Sequence, residues 1–167
     1  RRSAALPMIR SNYFTDNADL QQHVNELIDW NDIISTYENG FQDAAEYQKT
    51  KNPRLEMAPS SNEEALAYYK EILQSAGEIA GLHTTQAAQA IDREGLKFDN
   101  GVVIHPQKMM EVIQKYREAG LPPVAFRRKY GGLGLPGPVK AMASELMYRA
   151  DTSVTIAMGS MGLAGIL

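Results

Sequence analysis

The sequence predicts a mostly α-helical domain that carries one small β-hairpin. Apolar residues recur at helical spacing in several stretches, and helix-capping residues precede those stretches. A favoured hairpin turn, Asn100-Gly101, lies between two short apolar runs. The chain has 167 residues, 44% of them apolar and 22% charged, a composition typical of one globular domain.

The first helical stretch begins after residue 15. Asp16 or Asn17 is placed to cap it, and Phe14 lies where a hydrophobic staple would. Asn39-Gly40 is a typical C-terminal stop, and the Asn and Asp residues of 29–32 could interrupt the helix before that point. The apolar face of this stretch is Leu20, Val24, Leu27, Ile28, Ile34 and Tyr37.

The central helix is predicted from residue 61 to about residue 90, after a stretch, 41–59, without a clear pattern. Ser61 and Glu64 have the spacing of a capping box. Residues 96–104 then form the hairpin. The inward face of the central helix is Ala65, Leu66, Tyr69, Ile72, Leu73, Ala76, Ile79, Ala80 and His83.

Three further helices follow the hairpin. The first opens at Pro106, stops at residues 119–120 and carries Met109, Met110, Ile113 and Tyr116 inward. The second covers residues 139–150. The last begins at 151–153 and is apolar all round up to Leu167, which favours a buried central helix. Its length is below the ~20 residues that a membrane span needs.

Composition and charge limit the functional classes. The absence of cysteine excludes disulfides, thiolate metal sites and a cysteine nucleophile. A net charge of −3 gives no reason to expect nucleic acid. Residues 1–106 carry 9 Lys and Arg against 16 Asp and Glu, whereas residues 107–150 carry 8 against 3. The basic part could meet an anionic partner, although solvated helix faces of unequal charge are the favoured explanation.

Isolated motifs do not indicate catalysis. The glycines of 131–134 lack the spacing of a phosphate-binding loop and favour a tight turn with positive φ. His23, His83 and His105 lack metal-site spacing, so we expect no metal site. The basic run 127–129 could bind a phosphate or an acidic partner, but a solvated basic turn is favoured.

Both ends are unusual for a complete domain. Residues 1–7 precede the first Met and are expected to be foreign to the native domain; a cleaved targeting peptide is the alternative, but no apolar targeting core is present. The apolar end at residues 164–167 suggests that the domain, residues 8–167, continues beyond this sequence. We expect a cytoplasmic protein without a membrane span.

Several motifs, taken in order, resemble the N-terminal helical domain of FAD-dependent acyl-CoA dehydrogenases, in particular the large type with an extended N-terminus. These are the start MIRSNYFTDNADL at 8–20, DREG at 92–95 with DNGVV at 99–103, YGGLGLP at 130–136, and RAD at 149–151. The resemblance covers nearly all of residues 8–167. It departs at 127–129, where basic residues stand in place of the family's Pro and acidic residues.

The resemblance implies an oxidoreductase of fatty acid metabolism that desaturates the α,β bond of acyl-CoA thioesters. It also implies that FAD and the catalytic glutamate are held outside this segment, so the chain would contain no catalytic residue and be inactive alone. The implied partners are an acyl-CoA substrate and an electron-transfer flavoprotein, and the intact enzyme would be a homo-oligomer.

By motif position, the last helix would form a wall of the acyl pocket, although core packing is the simpler explanation for each single residue. The candidate substrate-binding residues of this wall are Thr155, Ile156, Met158, Gly159 and Ser160.

A stand-alone helical interaction module that uses the basic part of the chain is the alternative to the dehydrogenase.

Overall fold

The computed structural model describes residues 11–124 and 126–163, with side chains up to residue 159. The described chain is mostly helical with one antiparallel hairpin, which confirms the predicted fold class. The expectations for residues 1–7 and for 164–167 lie outside the described residues. The elements are α1 (Ala18–Gln22), α2 (Trp30–Glu38), α3 (Gln42–Thr50), α4 (Asn62–Ile79), α5 (Thr85–Glu94), β1 (Lys97–Asp99), β2 (Val102–Ile104), α6 (Gln107–Glu118), α7 (Gly137–Ala150) and α8 (Thr152–Leu163).

The first helical stretch is interrupted where the polar residues predicted it. Asn17 caps α1 by accepting hydrogen bonds from the amides of Asp19 and Leu20, at 3.1 and 3.2 Å. A π-helical turn, His23–Leu27, follows, and the backbone is then extended at residue 28. Asp29 caps α2, which ends at a left-handed Asn39. The predicted cap, break and stop are therefore all confirmed.

Residues 42–50 form a helix that the sequence pattern did not predict. Among its described residues α3 buries no side chain, so it has no apolar periodicity to reveal it. A 3₁₀ turn, Pro53–Leu55, follows and anchors the segment through the buried Leu55.

The central helix is longer than predicted. Ser61 caps α4, but the carboxylate of Glu64 accepts hydrogen bonds from Ser60 instead of Ser61, so the capping box is displaced by one residue. A π-helical turn, Ala80–Thr84, joins α4 to α5, and the helical run ends at Glu94.

Residues 11–14 cross α4 at close range. The amide of Tyr13 donates to the carbonyl of Gly77 at 3.0 Å. A Cβ at Gly77 would lie 2.6 Å from the amide nitrogen of Phe14, and one at Gly81 would lie 2.5 Å from the carbonyl oxygen of Ser11. The two glycines therefore provide the space in which this segment packs.

The core lies between α4 and the helices that surround it. α4 packs against α2, α6 and α7, and α8 packs against α6 and α7. α6 opens and stops as predicted, but Met110 is exposed and does not face inward, because Val112 takes the additional inward position. α7 begins two residues earlier than predicted. The fully buried side chains at the centre include Tyr69, Leu73, Tyr116, Val139, Leu146 and Val154.

The glycine-rich connection is the predicted tight turn, with φ of 84° at Gly131 and 60° at Gly134.

The prediction of a solvated basic turn at 127–129 is wrong for its middle residue, Arg128. Arg128 is only 3% exposed and pairs with Glu38, its Nη1 and Nη2 donating to the two carboxylate oxygens at 2.7 and 2.9 Å. Its Nη2 also donates to the carbonyl of Gly134 at 3.0 Å.

Glu38 receives a further hydrogen bond from the hydroxyl of Tyr69. Burial, together with this bond, raises the pKa of Tyr69 far above its ordinary value. Glu38 could not have been paired with Arg128 from sequence, because 90 residues separate the two.

Substituting Gly134 by Ala tests this arrangement. A Cβ at Gly134 would lie 2.5 Å from Cγ of Arg128, so G134A is expected to displace the ion pair as well as strain the backbone. Gly120→Ala is the matched control, because Gly120 also has positive φ but faces open space. We expect urea unfolding to show that G134A costs more than G120A by about 1–3 kcal/mol. Equal losses would contradict the close packing of Arg128 on Gly134.

Alkaline pH should lower stability through the buried tyrosines. Burial raises the pKa of Tyr116 to about 12, whereas an unfolded tyrosine ionises near pH 10. The folded state therefore keeps a proton that the unfolded chain releases, so the free energy of unfolding falls from about pH 10 towards pH 12. Tyr116→Phe should make this fall shallower in unfolding curves measured across that window. Tyr130→Phe, on an exposed ring, is the control, and an equal effect of both substitutions would contradict the prediction.

Candidate functional site

The start of α8 is fixed by one carboxylate. Asp151 Oδ1 accepts hydrogen bonds from the amides of Ser153 and Val154 at 2.8 and 3.0 Å. It also accepts one from the hydroxyl of Ser153 at 2.6 Å. These bonds satisfy free amides of the first turn, so Asp151, within the predicted start at 151–153, is the residue that caps α8.

α8 buries one face and exposes the other. Val154, Thr155 and Met158 point into the core, and Met158 is 5% exposed. Ile156, on the opposite face, is 59% exposed. The helix is therefore not the buried central helix that the sequence favoured: its uniformly apolar pattern concealed which side packs against α6 and α7.

The five predicted site residues thus fall into separate groups. Thr155 and Met158 are core residues, and the hydroxyl of Thr155 donates to the carbonyl of Asp151 at 2.9 Å. Ile156 and Gly159 lie on the outward face, and a Cβ at Gly159 would have no neighbour within 4 Å. The side chain of Ser160 lies outside the described residues.

A groove of about 740 Å³ borders the outward face of α8. Four parts of the fold meet at this groove: the end of α5, the base of the hairpin, the start of α6 and the junction of α7 with α8. Ile156 is the predicted site residue that lines it, together with its neighbour Ala157. The remaining apolar lining includes Ile91, Leu96, Pro106 and Met109.

Charged and polar groups lie at the rim of this groove. Arg149 and Asp151 come from the junction of the last two helices, and Asp92 and His105 flank the hairpin. The guanidinium of Arg149 stacks 5.5 Å above the ring centre of Tyr13, whose hydroxyl accepts a hydrogen bond from Thr85 at 2.7 Å. An apolar floor with a polar rim suits a ligand that has an apolar chain and a polar end.

Most of these lining residues were missed by sequence reasoning. Leu96, Met109 and Tyr148 belong to three different parts of the chain, and only the packing of α5, α6 and α7 brings them together. His105 was considered as a metal ligand, for which its spacing is unsuitable. The sequence around each of these residues does not indicate that they meet in the folded chain.

A second hollow, of about 700 Å³, lies between α2, α3 and the start of α7 beside the Glu38–Arg128 pair. Its lining is polar and carries charges of both signs. Asp43, for example, lies 3.4 Å from Arg128. Because an apolar chain would remove these charged groups from water without replacing their hydrogen bonds, this hollow suits such a chain less well than the groove does.

The described residues bring together no group of three or more His, Asp or Glu side chains able to hold a metal ion. None of the helices they form has the length and apolar character needed to cross a bilayer.

The two faces of α8 should respond differently to substitution. Met158→Ala removes a buried side chain and is expected to cost about 2–5 kcal/mol of stability. Ile156→Ala, on the exposed face, is expected to change stability by no more than about 0.5 kcal/mol. Chemical denaturation of both variants measures the difference. If Ile156→Ala is the more damaging change, the orientation of α8 is wrong.

Comparison with known proteins gives one informative similarity. The chain is 27% identical, over 101 residues, to 3-methylmercaptopropionyl-CoA dehydrogenase of Ruegeria pomeroyi. The match covers 60% of this chain but only 17% of that protein. No protein-family model matches the chain, and no solved structure matches it significantly. The chain is therefore distantly similar to an acyl-CoA dehydrogenase, in agreement with the motifs in its sequence.

Proposed function

We propose that residues 8–167 are the N-terminal helical domain of an FAD-dependent acyl-CoA dehydrogenase. The similarity to the Ruegeria pomeroyi dehydrogenase carries this proposal. The mostly helical fold with one hairpin supports it, because the family resemblance implies that architecture. The proposed reaction of the whole enzyme is the α,β-desaturation of an acyl-CoA thioester.

In this proposal the groove beside α8 is one wall of the acyl pocket. Its lining is predominantly apolar, and its walls come from packed helices and a capped helix start, which keep the site pre-formed. Ile156 would contact the acyl chain directly. Gly159, on the same outward face, leaves open space beside the helix into which the chain could extend. Thr155 and Met158 would support this wall from behind.

The described residues do not fit a flavin site on their own. The glycine-rich turn follows a 3₁₀ turn instead of a strand, and Gly134 lies against the side chain of Arg128. We therefore assign no residue of this chain to FAD, which in the whole enzyme supplies the hydride acceptor. The role of this chain is to hold the acyl group and to exclude water from it.

The remaining parts of the proposal follow from the family resemblance. The substrate is an acyl-CoA, the electron acceptor is an electron-transfer flavoprotein, and the intact enzyme is a homo-oligomer. A cytoplasmic location is proposed separately and does not follow from the resemblance. The alternative, an interaction module that uses basic residues 107–150, is weakened because Arg128 is engaged with Glu38 in the interior.

The first experiment uses the whole protein that contains this chain. It should be purified from its natural reading frame and mixed with acyl-CoA under anaerobic conditions. We expect flavin absorption that bleaches on addition of substrate. A colourless protein that remains colourless after FAD is supplied would overturn the proposal.

Filling the space at Gly159 tests the role of the groove. In the whole enzyme, Gly159→Leu should shorten the preferred acyl chain by lowering kcat/KM for long substrates more than for short ones. Ala67→Leu, on an exposed part of α4, is the control and should leave the chain-length profile unchanged. An unchanged profile in G159L would refute the pocket wall while leaving the dehydrogenase assignment intact.

A further inference from the structure

The hairpin presents an apolar face to solvent. Its strands pair Lys97 with Ile104, Phe98 with Val103, and Asp99 with Val102. Side chains alternate between the two faces of a strand, so Phe98 and Val103 share one face. They are 75% and 49% exposed. Among the described residues, no helix packs extensively against the hairpin, so this face is left exposed by that part of the chain.

No strand formed by residues 11–124 or 126–163 pairs with the outer edge of β1. Asn100 and Gly101 have φ of 47° and 82°, as in a two-residue hairpin turn, which makes Asp99 and Val102 the hydrogen-bonded closing pair. Such pairs alternate along an antiparallel ladder, so the amide and carbonyl of Phe98 point away from β2. The open edge therefore offers one donor and one acceptor at Phe98.

Charges beside Phe98 are arranged for self-pairing. Lys97 precedes it and Asp99 follows it, and both side chains lie on the opposite face of the strand. If two copies of β1 pair antiparallel about Phe98, Lys97 of each copy lies opposite Asp99 of the other. This register forms two hydrogen bonds between the Phe98 backbones and two ion pairs. The edge of β2 has no such complementarity, because Val102 would lie opposite Ile104.

We propose that the hairpin is a self-association surface, at which β1 of two copies of this chain pair antiparallel about Phe98 into a four-stranded sheet. The contact buries part of the apolar face, because it brings the two Phe98 side chains together beside the two Val103 side chains. The interface is small, so the dimer is weak and depends on concentration. The inference does not depend on the proposed dehydrogenase function.

Charge reversal tests the register. Wild-type chain should dimerise in sedimentation equilibrium at concentrations up to about 1 mM. Lys97→Asp and Asp99→Lys each convert both ion pairs into repulsions, so each should raise the dissociation constant about ten-fold or more. The double variant K97D/D99K restores both pairs and should restore dimerisation. This rescue also controls for loss of the weak contact between Lys97 and Glu94, 3.8 Å apart, which the double variant lacks as well.

Each outcome either supports or overturns self-association through the hairpin. A wild-type chain that stays monomeric overturns the proposal, and a different protein would then have to cover the apolar face. A dimer that the single reversals do not weaken, or that the double variant does not restore, also overturns it. The reversal pair Lys108→Glu and Glu111→Lys on α6 is the matched control and should leave dimerisation unchanged.

Cross-linking gives a second measurement, because these 167 residues include no cysteine. A mixture of Lys97→Cys and Asp99→Cys chains should form disulfide-linked heterodimers on mild oxidation, since the register places these positions directly opposite each other. Either variant alone should cross-link more slowly. Equal rates in all three samples would exclude this register.

Discussion

The arrangement of this chain depends on one buried ion pair, between Glu38 at the end of α2 and Arg128 in the glycine-rich connection. Removing two charges from water is costly unless their hydrogen-bonding groups are satisfied. Here the carboxylate accepts two hydrogen bonds from the guanidinium and one from Tyr69. The guanidinium also donates a hydrogen bond to the carbonyl of Gly134. The pair is therefore satisfied over most of its surface, with Nε of Arg128 as the exception.

This ion pair also explains how the groove is positioned. By holding the connection against α2, it fixes the point at which α7 begins, and α7 then packs along α4. α7 ends just before Asp151, whose side chain caps α8. The outward face of α8 consequently meets α5, the hairpin and α6 at the groove. The glycine at position 134 is required because the guanidinium occupies the space of a side chain there.

Features that depend on neighbouring residues could be predicted from the sequence. The caps at Asn17, Ser61 and Asp151 and the turn at Asn100-Gly101 each involve residues no more than three apart. The helical periodicity around them then identified most of the buried faces of α4 and α6. These local signals were sufficient for the fold class.

Features that depend on distant residues could not be predicted. α3 buries nothing and so leaves no apolar pattern. Arg128 has the sequence context of a solvated turn, and only its partner 90 residues away reveals that it is buried. The apolar sequence of α8 does not distinguish its packed face from its exposed one, so the predicted site residues were divided between core and surface. The groove itself is formed by elements that meet only in the folded chain.

A double-mutant cycle on Glu38 and Arg128 would test the central role of the ion pair most directly. Glu38→Gln and Arg128→Met should each cost about 3–5 kcal/mol in the free energy of unfolding, because each leaves a buried partner uncompensated. The double variant should cost less than the sum of the two by at least about 1 kcal/mol, as expected for residues in direct contact. Additive losses would show that the two residues act independently and would contradict the dependence of the fold on their pairing.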